Sequence, residues 1–321
     1  MNFQKIEPVS KGDFYLDVAI QRGKKSANNL TIRVRDEDKR AQIREKTRIK
    51  TIKESLIKSL TSIINSFPGL DGLPEFYYEL CKNTMNVDEV KLALSTLSWA
   101  TKKIDELERD FLRRIKNKDK AEIIKAKKSY IGRVSSIMKR LDKKLNLIEE
   151  TRRIIQTFPD IKEDLYTVCI NGFPNVGKST LLTKITSSKP EIGSYAFTTK
   201  TLNTGYFKDR FEDIQVVDVP GSLNRFEKMN DVEKQAEIAL KYLSNLIVYV
   251  YDLTEPYPLE QQEKLFKKTK EELKPVLIYF SKADILGEDK INKFIKEKKL
   301  ENATHNPEEL KKKIIEMKRK K

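Results

Sequence analysis

Between an apolar run at 165–171 and a helical pattern over 179–186 stands Gly172-Phe-Pro-Asn-Val-Gly177-Lys178-Ser179. No other segment of the chain restricts its fold so severely. A G-x4-G-K-S loop works only where a strand delivers the chain to it and a helix carries the chain away. Its glycines let successive backbone N–H groups turn inward on phosphate oxygens, and the helix N-terminus adds partial positive charge. A strand–loop–helix unit of this kind belongs to a parallel sheet with helices on both faces. Residues 161–321 keep that rhythm. Runs rich in Val, Ile, Tyr and Leu at 215–219, 246–253 and 275–280 alternate with helical patterns at 232–242 and 261–273.

Ligands of such sheets gather at the carboxyl ends of the strands, and polar residues stand there. The stretch Asn175, Val176, Gly177, Lys178, Ser179, Thr180 is expected to hold phosphates, with Lys178 reaching the β- and γ-oxygens and Ser179 placing its hydroxyl on Mg²⁺. Asp218-Val219-Pro220-Gly221 closes the next buried run, 46 residues after Gly172. Its carboxylate is placed to hold a water on the metal, and the Gly221 N–H to meet a γ-phosphate oxygen. The segment 194–200 between them is polar and irregular, and Thr199 is the candidate to complete the Mg²⁺ shell. After the run 275–280 comes Ser281-Lys282-Ala283-Asp284. A buried carboxylate at 284 accepting two N–H bonds matches guanine, with its N1–H and 2-amino group, whereas adenine offers no such pair. The Lys282 stem can cover the base plane. GTP or GDP with Mg²⁺ is the ligand these residues call for.

The first half has another period. From about residue 37 to 157 the pattern is helical, with Ile52, Leu56, Leu60 and Ile63 on one stripe and Val90, Leu94, Leu97, Ile104, Leu107 and Phe111 on another. Long helices and short turns predict an antiparallel bundle over 1–160, followed by the phosphate-loop domain with its mostly parallel, doubly wound sheet over 161–321. The class is therefore α followed by α/β. Residues 1–36 are less regular and read as a short strand or loose extension. Trp99, Tyr77 and Tyr78 read as packing residues. Residues 1–160 carry 35 Lys and Arg against 23 Asp and Glu, net +12, while 161–321 carry only +4. The bundle is thus the half suited to a polyanion such as RNA. Two cysteines and one histidine exclude a disulfide framework, a zinc cluster and a Ser-His-Asp site. No run approaches the roughly 18 apolar residues of a membrane span. A cytoplasmic protein with no membrane partner is expected, and nothing requires more than a monomer.

Together these residues resemble the Nog subfamily of Obg-related GTPases, which act in assembly of the large ribosomal subunit. The likeness rests on GFPNVGKSTLL (172–182), YAFTTKTLNTG (195–205), DVPGSLNR (218–225) and MNDVEKQAEIAL (229–240). In the helical half it rests on FPGLDGLPEFYYEL (67–80), LSWATKKIDEL (97–107) and YIGRVSSIMKRL (130–141). The resemblance implies slow hydrolysis of GTP, with Lys178, Thr199 and Gly221 as catalytic residues and K⁺ held beside the phosphates through Asn175. It implies that the Ala303 N–H faces guanine O6. It also implies rRNA and a large-subunit precursor as partners, a nucleotide-dependent switch, and fast turnover only when the ribosomal partner orders 190–205.

Departures from the family pattern are few. Val219 stands for the usual threonine, a peripheral change, and Ser281 for asparagine, where the hydroxyl is expected to take over part of the bonding to the phosphate loop. Ser222 and Leu223 follow Gly221, so no water-orienting glutamine is there. The sequence ends at Lys321 where the larger eukaryotic members carry a long extension, and a compact archaeal member is expected. Two other readings remain open at this level: a P-loop ATPase or kinase, and an RNA-binding assembly protein that keeps nucleotide only as a structural ligand.

Overall fold

A computed structural model gives the fold and describes residues 3–186, 191–194, 201–221, 231–254, 257–272 and 274–320. Five α-helices precede the sheet among them: α1 (Gly12–Asn28), α2 (Glu37–Ser66), α3 (Glu75–Thr84), α4 (Val87–Arg114) and α5 (Lys120–Gln156). Asp36 caps α2 by accepting the Asp38 and Lys39 N–H groups, and Asn86 caps α4 through the Glu89 N–H, so both starts are fixed by side chains the sequence places there.

Contacts divide the chain into two units. One holds Gln4–Gly72 and Met85–Gln156. Within it α1, α2, α4 and α5 run alternately up and down. Val9 and Gly12 meet Glu149 and Asp142, Lys53 meets Asp105 and Glu108, and Asp110 meets Arg133. Ile49, Ile52, Leu56, Leu60, Leu97, Ile104, Val134 and Met138 fill its core.

Two expectations for this half are corrected. Residues 12–28 are helix, not strand or loose extension. The buried face of α1 is Gly12, Leu16, Ala19, Gly23 and Ala27, so small residues replace the Leu/Ile stripe that would have announced it. A Cβ on Gly23 would stand 2.6 Å from Ile52 Cγ1 and 2.9 Å from the Arg48 carbonyl, which is why α1 approaches α2 so closely. Trp99 is the other correction. It is 47% exposed, on the face of α4 turned away from the Leu97–Ala100–Ile104 stripe.

The second unit takes Met1–Phe3, Leu73–Thr84 and Thr157–Lys321. Its sheet has seven strands, β1 (Tyr166–Asn171), β2 (Glu191–Ser194), β3 (Thr201–Asp209), β4 (Glu212–Asp218), β5 (Leu246–Tyr251), β6 (Val276–Phe280) and β7 (Ala303–Thr304). Their spatial order is β2-β3-β4-β1-β5-β6-β7, antiparallel at β2–β3 and β3–β4 and parallel elsewhere. The helices are α6 (Lys178–Ile185), α7 (Asp231–Ile238) with a π-helical turn at Ala239–Leu243, α8 (Leu259–Glu271), α9 (Ala283–Leu286), α10 (Glu288–Glu297) and α11 (Pro307–Arg319). β5 is buried at every position, as a parallel strand covered on both faces must be.

Helix α3 belongs to this unit by packing, although 73–84 lies far upstream. It lies against α7. Tyr77, 0% exposed, donates to the Pro159 carbonyl and accepts the Ile161 N–H, both at 2.9 Å, and its ring meets Phe3 and Phe76 edge-on. Tyr77 is a packing residue, and Tyr78 is half-buried.

Candidate functional site

β1 lies mid-sheet between β4 and β5, so the loop that leaves it is flanked by the carboxyl ends of both. The Gly172 N–H bonds the Asn171 side-chain oxygen at 2.8 Å, and a Cβ on Gly172 would stand 2.8 Å from the Val250 carbonyl. Gly177 has φ 93 and Asn175 φ 60, the left-handed turns that curl the loop back before α6 begins at Lys178. Val176 is fully buried and pins the loop, while Asn175, Ser179 and Thr180 are exposed along its rim. The Lys178 ammonium folds over the loop and donates to the Phe173 carbonyl at 2.8 Å.

Across from it stands Asp218, the last residue of β4 and 5% exposed. Its Oδ2 accepts the Ser179 hydroxyl at 2.5 Å, and Asn203 Nδ2 lies 3.5 Å away. Its Oδ1 is buried and has no hydrogen-bond partner among the described residues. Burial raises this carboxyl above the ordinary carboxylate range, against the pull of Lys178, Ser179 and Asn203. A buried oxygen of this kind is costly unless something binds it. Ser179 Oγ beside a carboxylate with a spare oxygen is a hard, oxygen-only donor set, which fits Mg²⁺ with most of its shell left to phosphates and water. Among the described residues no group of three or more His, Cys, Asp or Glu gathers, so a metal held by protein alone has no place there.

Gly221 follows on the loop after β4. A Cβ there would stand 2.5 Å from the Pro174 nitrogen and 2.9 Å from Lys178 Nζ, so the two loops touch backbone to backbone. Val219 is fully buried, where an apolar side chain fits without a partner for a hydroxyl. Thr199 lies outside the described residues, as do Ser222 and Leu223.

At the base corner the outcome is mixed. Ser281 is 6% exposed and its N–H and hydroxyl both bond the Tyr251 carbonyl, at 2.9 and 3.1 Å. The expectation that the hydroxyl bonds the phosphate loop is therefore corrected. Ser281 touches that loop only by packing, its Cβ 3.4 Å from where a Cβ on Gly177 would stand. Lys282 Nζ lies 2.5 Å from Asp252 Oδ2. Asp284 was expected to be buried and is exposed, because α9 is a single turn with no buried residue; any burial of this carboxylate has to come from a base laid on it.

Ala303 is also corrected. It is paired with Ile278 inside the sheet, three residues short of the level of Ser281, which is roughly 10 Å along a strand. The residue that leaves β7 at that end is His305, whose Nε2 lies 3.2 Å from Glu288 Oε1. Thr304 and Asn306 hold its loop, Thr304 Oγ1 bonding Glu309 at 2.6 Å and accepting the Asn306 N–H at 3.1 Å.

Asn203, Asp252 and His305 went unread in the sequence. Asn203 sits opposite Asp218 across β3–β4, a register that no motif announces. Asp252 follows an apolar run directly, and a polar residue ending a buried strand was the one available signal for it.

Two family models match along this architecture. A family model described as the NOG1 N-terminal helical domain matches residues 3–177, and one described as a 50S ribosome-binding GTPase matches 167–282. An uncharacterized protein of Methanocaldococcus jannaschii is 34% identical over 294 residues, covering 90% of this chain and 83% of its own. Nucleolar GTP-binding protein 1 of Drosophila melanogaster is 34% identical over 293 residues, covering 89% of this chain but 44% of its own, and its Saccharomyces cerevisiae namesake is 29% identical, covering 89% and 45%. The chain thus spans less than half the length of these eukaryotic relatives. Among solved structures, the G domain of the T. maritima FeoB iron transporter is 26% identical, covers 48% of this chain and 98% of its own, and aligns with a TM-score of 0.40.

Proposed function

The chain belongs to the NOG1 family and carries its GTPase domain, and on that footing we propose that it is a slow, GTP-hydrolysing switch that binds rRNA in precursors of the large ribosomal subunit. The observation that carries the chemistry is Asp218, a buried carboxylate with one oxygen on Ser179 and the other without a hydrogen-bond partner among the described residues. The backbone N–H groups of residues 175–180 and the Lys178 ammonium surround the phosphates. Ser179 and Asp218 would hold Mg²⁺, with Thr199 as a further ligand. Bound Mg²⁺ supplies charge neutralisation at the phosphate oxygens.

Positioning and electrostatics dominate phosphoryl transfer, so the protein needs no nucleophile of its own. Lys178 can exchange its bond to the Phe173 carbonyl for a phosphate oxygen. Gly221, pressed on the phosphate loop with no room for a Cβ, feels whether a γ-phosphate is present and passes that to the chain beyond it. Asn175, exposed at the rim, is the group offered to K⁺; equal hydrolysis rates in K⁺ and Na⁺ would remove that element. Asp284, with Lys282 beside it, chooses guanine, and Asp284→Asn should shift preference toward xanthine nucleotides. The net +12 of residues 1–160 and the ribosome-binding description of the matched family support an RNA partner.

Calorimetric titration of the magnesium-supplied protein with GTP, GDP and ATP tests the reading. Heat for the guanine ligands alone is expected, and none for any guanine ligand would sink it. Phosphate release against a Lys178→Ala control separates a hydrolysing site from one that only binds.

A further inference from the structure

Strand β5 ends in a carboxylate that the chemistry above does not use. Asp252 is 0% exposed, at the end of a strand that is buried throughout. Its backbone is clamped on both sides by Gln262 of α8, itself 0% exposed. Gln262 accepts the Asp252 N–H at 3.0 Å and donates to the Asp252 carbonyl at 2.9 Å and to the Tyr257 carbonyl at 3.0 Å. Its side chain has equally definite partners. Oδ1 takes the Thr254 N–H at 2.9 Å and the Thr254 hydroxyl at 2.6 Å. Oδ2 faces Lys282 Nζ at 2.5 Å, an ion pair rather than an aligned hydrogen bond. A fully buried carboxylate is tolerated only when a cation and hydrogen bonds answer it, and Lys282 is the cation that does so.

Lys282 in turn has φ 55 and ψ 34, a left-handed backbone that an L-residue keeps only where its surroundings over-determine it. The residue before it, Ser281, bonds the Tyr251 carbonyl with both its N–H and its hydroxyl. Apart from the Lys282 carbonyl, which accepts the Ile285 and Leu286 N–H groups of α9, the polar ties of the 281–282 turn run among the described residues to Tyr251, Asp252 and Thr254, while Ser281 touches the phosphate loop by packing.

We propose that Asp252 is the positioning residue of the base corner, anchoring the Lys282 ammonium so that the lysine stem is held as a fixed floor for the purine and the 281–284 turn is registered against β5. This deepens the guanine-nucleotide reading and rests on it. Asp252 touches no part of the nucleotide; it acts through Lys282. The bond from Thr254 to Oδ1 fixes which way the carboxylate faces, and Gln262 fixes where the carboxylate starts.

The test is GDP titration of the full chain with Mg²⁺, with pyrophosphate titrated alongside as a ligand that has no base. Asp252→Asn keeps the acceptor for Thr254 and removes the charge facing Lys282. GDP affinity is expected to fall roughly tenfold, as for other outer partners of ligand-binding groups, while pyrophosphate affinity stays put. In GTP hydrolysis the loss should appear in KM rather than in kcat, because a base contact is made equally in ground and transition states. The two residues should also act as one: in a Lys282→Met background, adding Asp252→Asn should weaken GDP no further.

GDP affinity unaffected by Asp252→Asn, equal losses for GDP and pyrophosphate, or losses that multiply in the double variant would each overturn the assignment. If the unmodified chain bound pyrophosphate but no GDP, the guanine reading itself would fall, a different result from normal GDP binding by an unaffected variant. Thermal unfolding checks each variant. If Asp252→Asn does not fold, Thr254→Val, which removes only the hydroxyl on Oδ1, takes its place under the same criteria.

Discussion

Glu149 in the helical bundle and Asp218 in the seven-stranded unit are both carboxylates drawn out of water, and their acidities move in opposite directions. Glu149 accepts two bonds from Arg152, at 2.7 and 2.8 Å, one from Arg153 at 2.9 Å and one from the Val9 N–H at 2.9 Å. The Arg152 guanidinium is the main cause of its fall to about 2. Asp218 has burial as its leading influence and is raised despite Lys178 and Ser179. The bundle answers the carboxylate it buries from within, as it also does at Glu45 with Arg48 and Lys127. In the other unit one oxygen of Asp218 has no hydrogen-bond partner among the described residues. A fold completes the groups it needs for itself; a group left incomplete at a strand end is available to a ligand, and the ligand-free fold is less stable for carrying it.

The largest effect that would break this contrast is at Asp218. Asp218→Asn should lower GTP hydrolysis by about a hundredfold or more, the usual scale for removing a group that stabilises transition-state charge. It should also raise the thermal midpoint of the ligand-free protein, since a neutral amide relieves the buried charge. Phosphate release and scanning calorimetry read the two, and a lowered midpoint would mean that Asp218 is structural after all.

Glu149→Gln should do the reverse. It strips charge from a hydrogen-bonded network and should destabilise the chain by about 2 kcal/mol in urea unfolding, with GTP binding retained.

The two signs of pH dependence come next. The Glu149 carboxyl is lowered, so its contribution is present above its ordinary value of 4.5 and should vanish as pH falls through about 2. The Asp218 carboxyl is raised, so the ligand-free fold is favoured below its ordinary 3.8 and should lose stability as pH rises through the higher native value. Unfolding at a series of pH values, with and without Mg²⁺ and GDP, should show the second dependence disappear when ligand is bound. Persistence of the slope in saturating ligand would contradict the assignment of Asp218 to the metal.

The smallest expected effect is at the only tryptophan. Trp99→Ala on an exposed face of α4 should change stability by less than ~0.5 kcal/mol, and the emission of native Trp99 should be that of a solvated indole.

Much of this was legible in the sequence wherever the signal was local. The phosphate loop, the Asp218–Gly221 turn and the Ser281–Asp284 turn fell at strand ends as their spacing implied. The stripes of α2 and α4 are legible as apolar residues at helical intervals. α1 escaped because close helix packing wants glycine and alanine, which carry almost no hydrophobic signal. The strand β3 was missed because its pairing with β4 is antiparallel across a hairpin, outside the alternating pattern that revealed β4, β5 and β6. The family resemblance puts the Ala303 N–H at the base, whereas the register against Ile278 keeps Ala303 within the sheet and leaves His305 as the residue that exits β7 at that end.

The order of residues determined which segments become strand, loop and helix, because those preferences are set within a few neighbours, and it determined where the phosphate-binding amides would stand. Only the tertiary structure decided which acids are answered and by whom. Tyr77 closing on Pro159 and Ile161, Lys282 reaching back to Asp252, and Asp218 meeting Ser179 through one oxygen all depend on parts of the chain brought together through space. Periodicity reports the face a side chain occupies; it carries no record of the partner that arrives from elsewhere to complete or withhold a hydrogen bond.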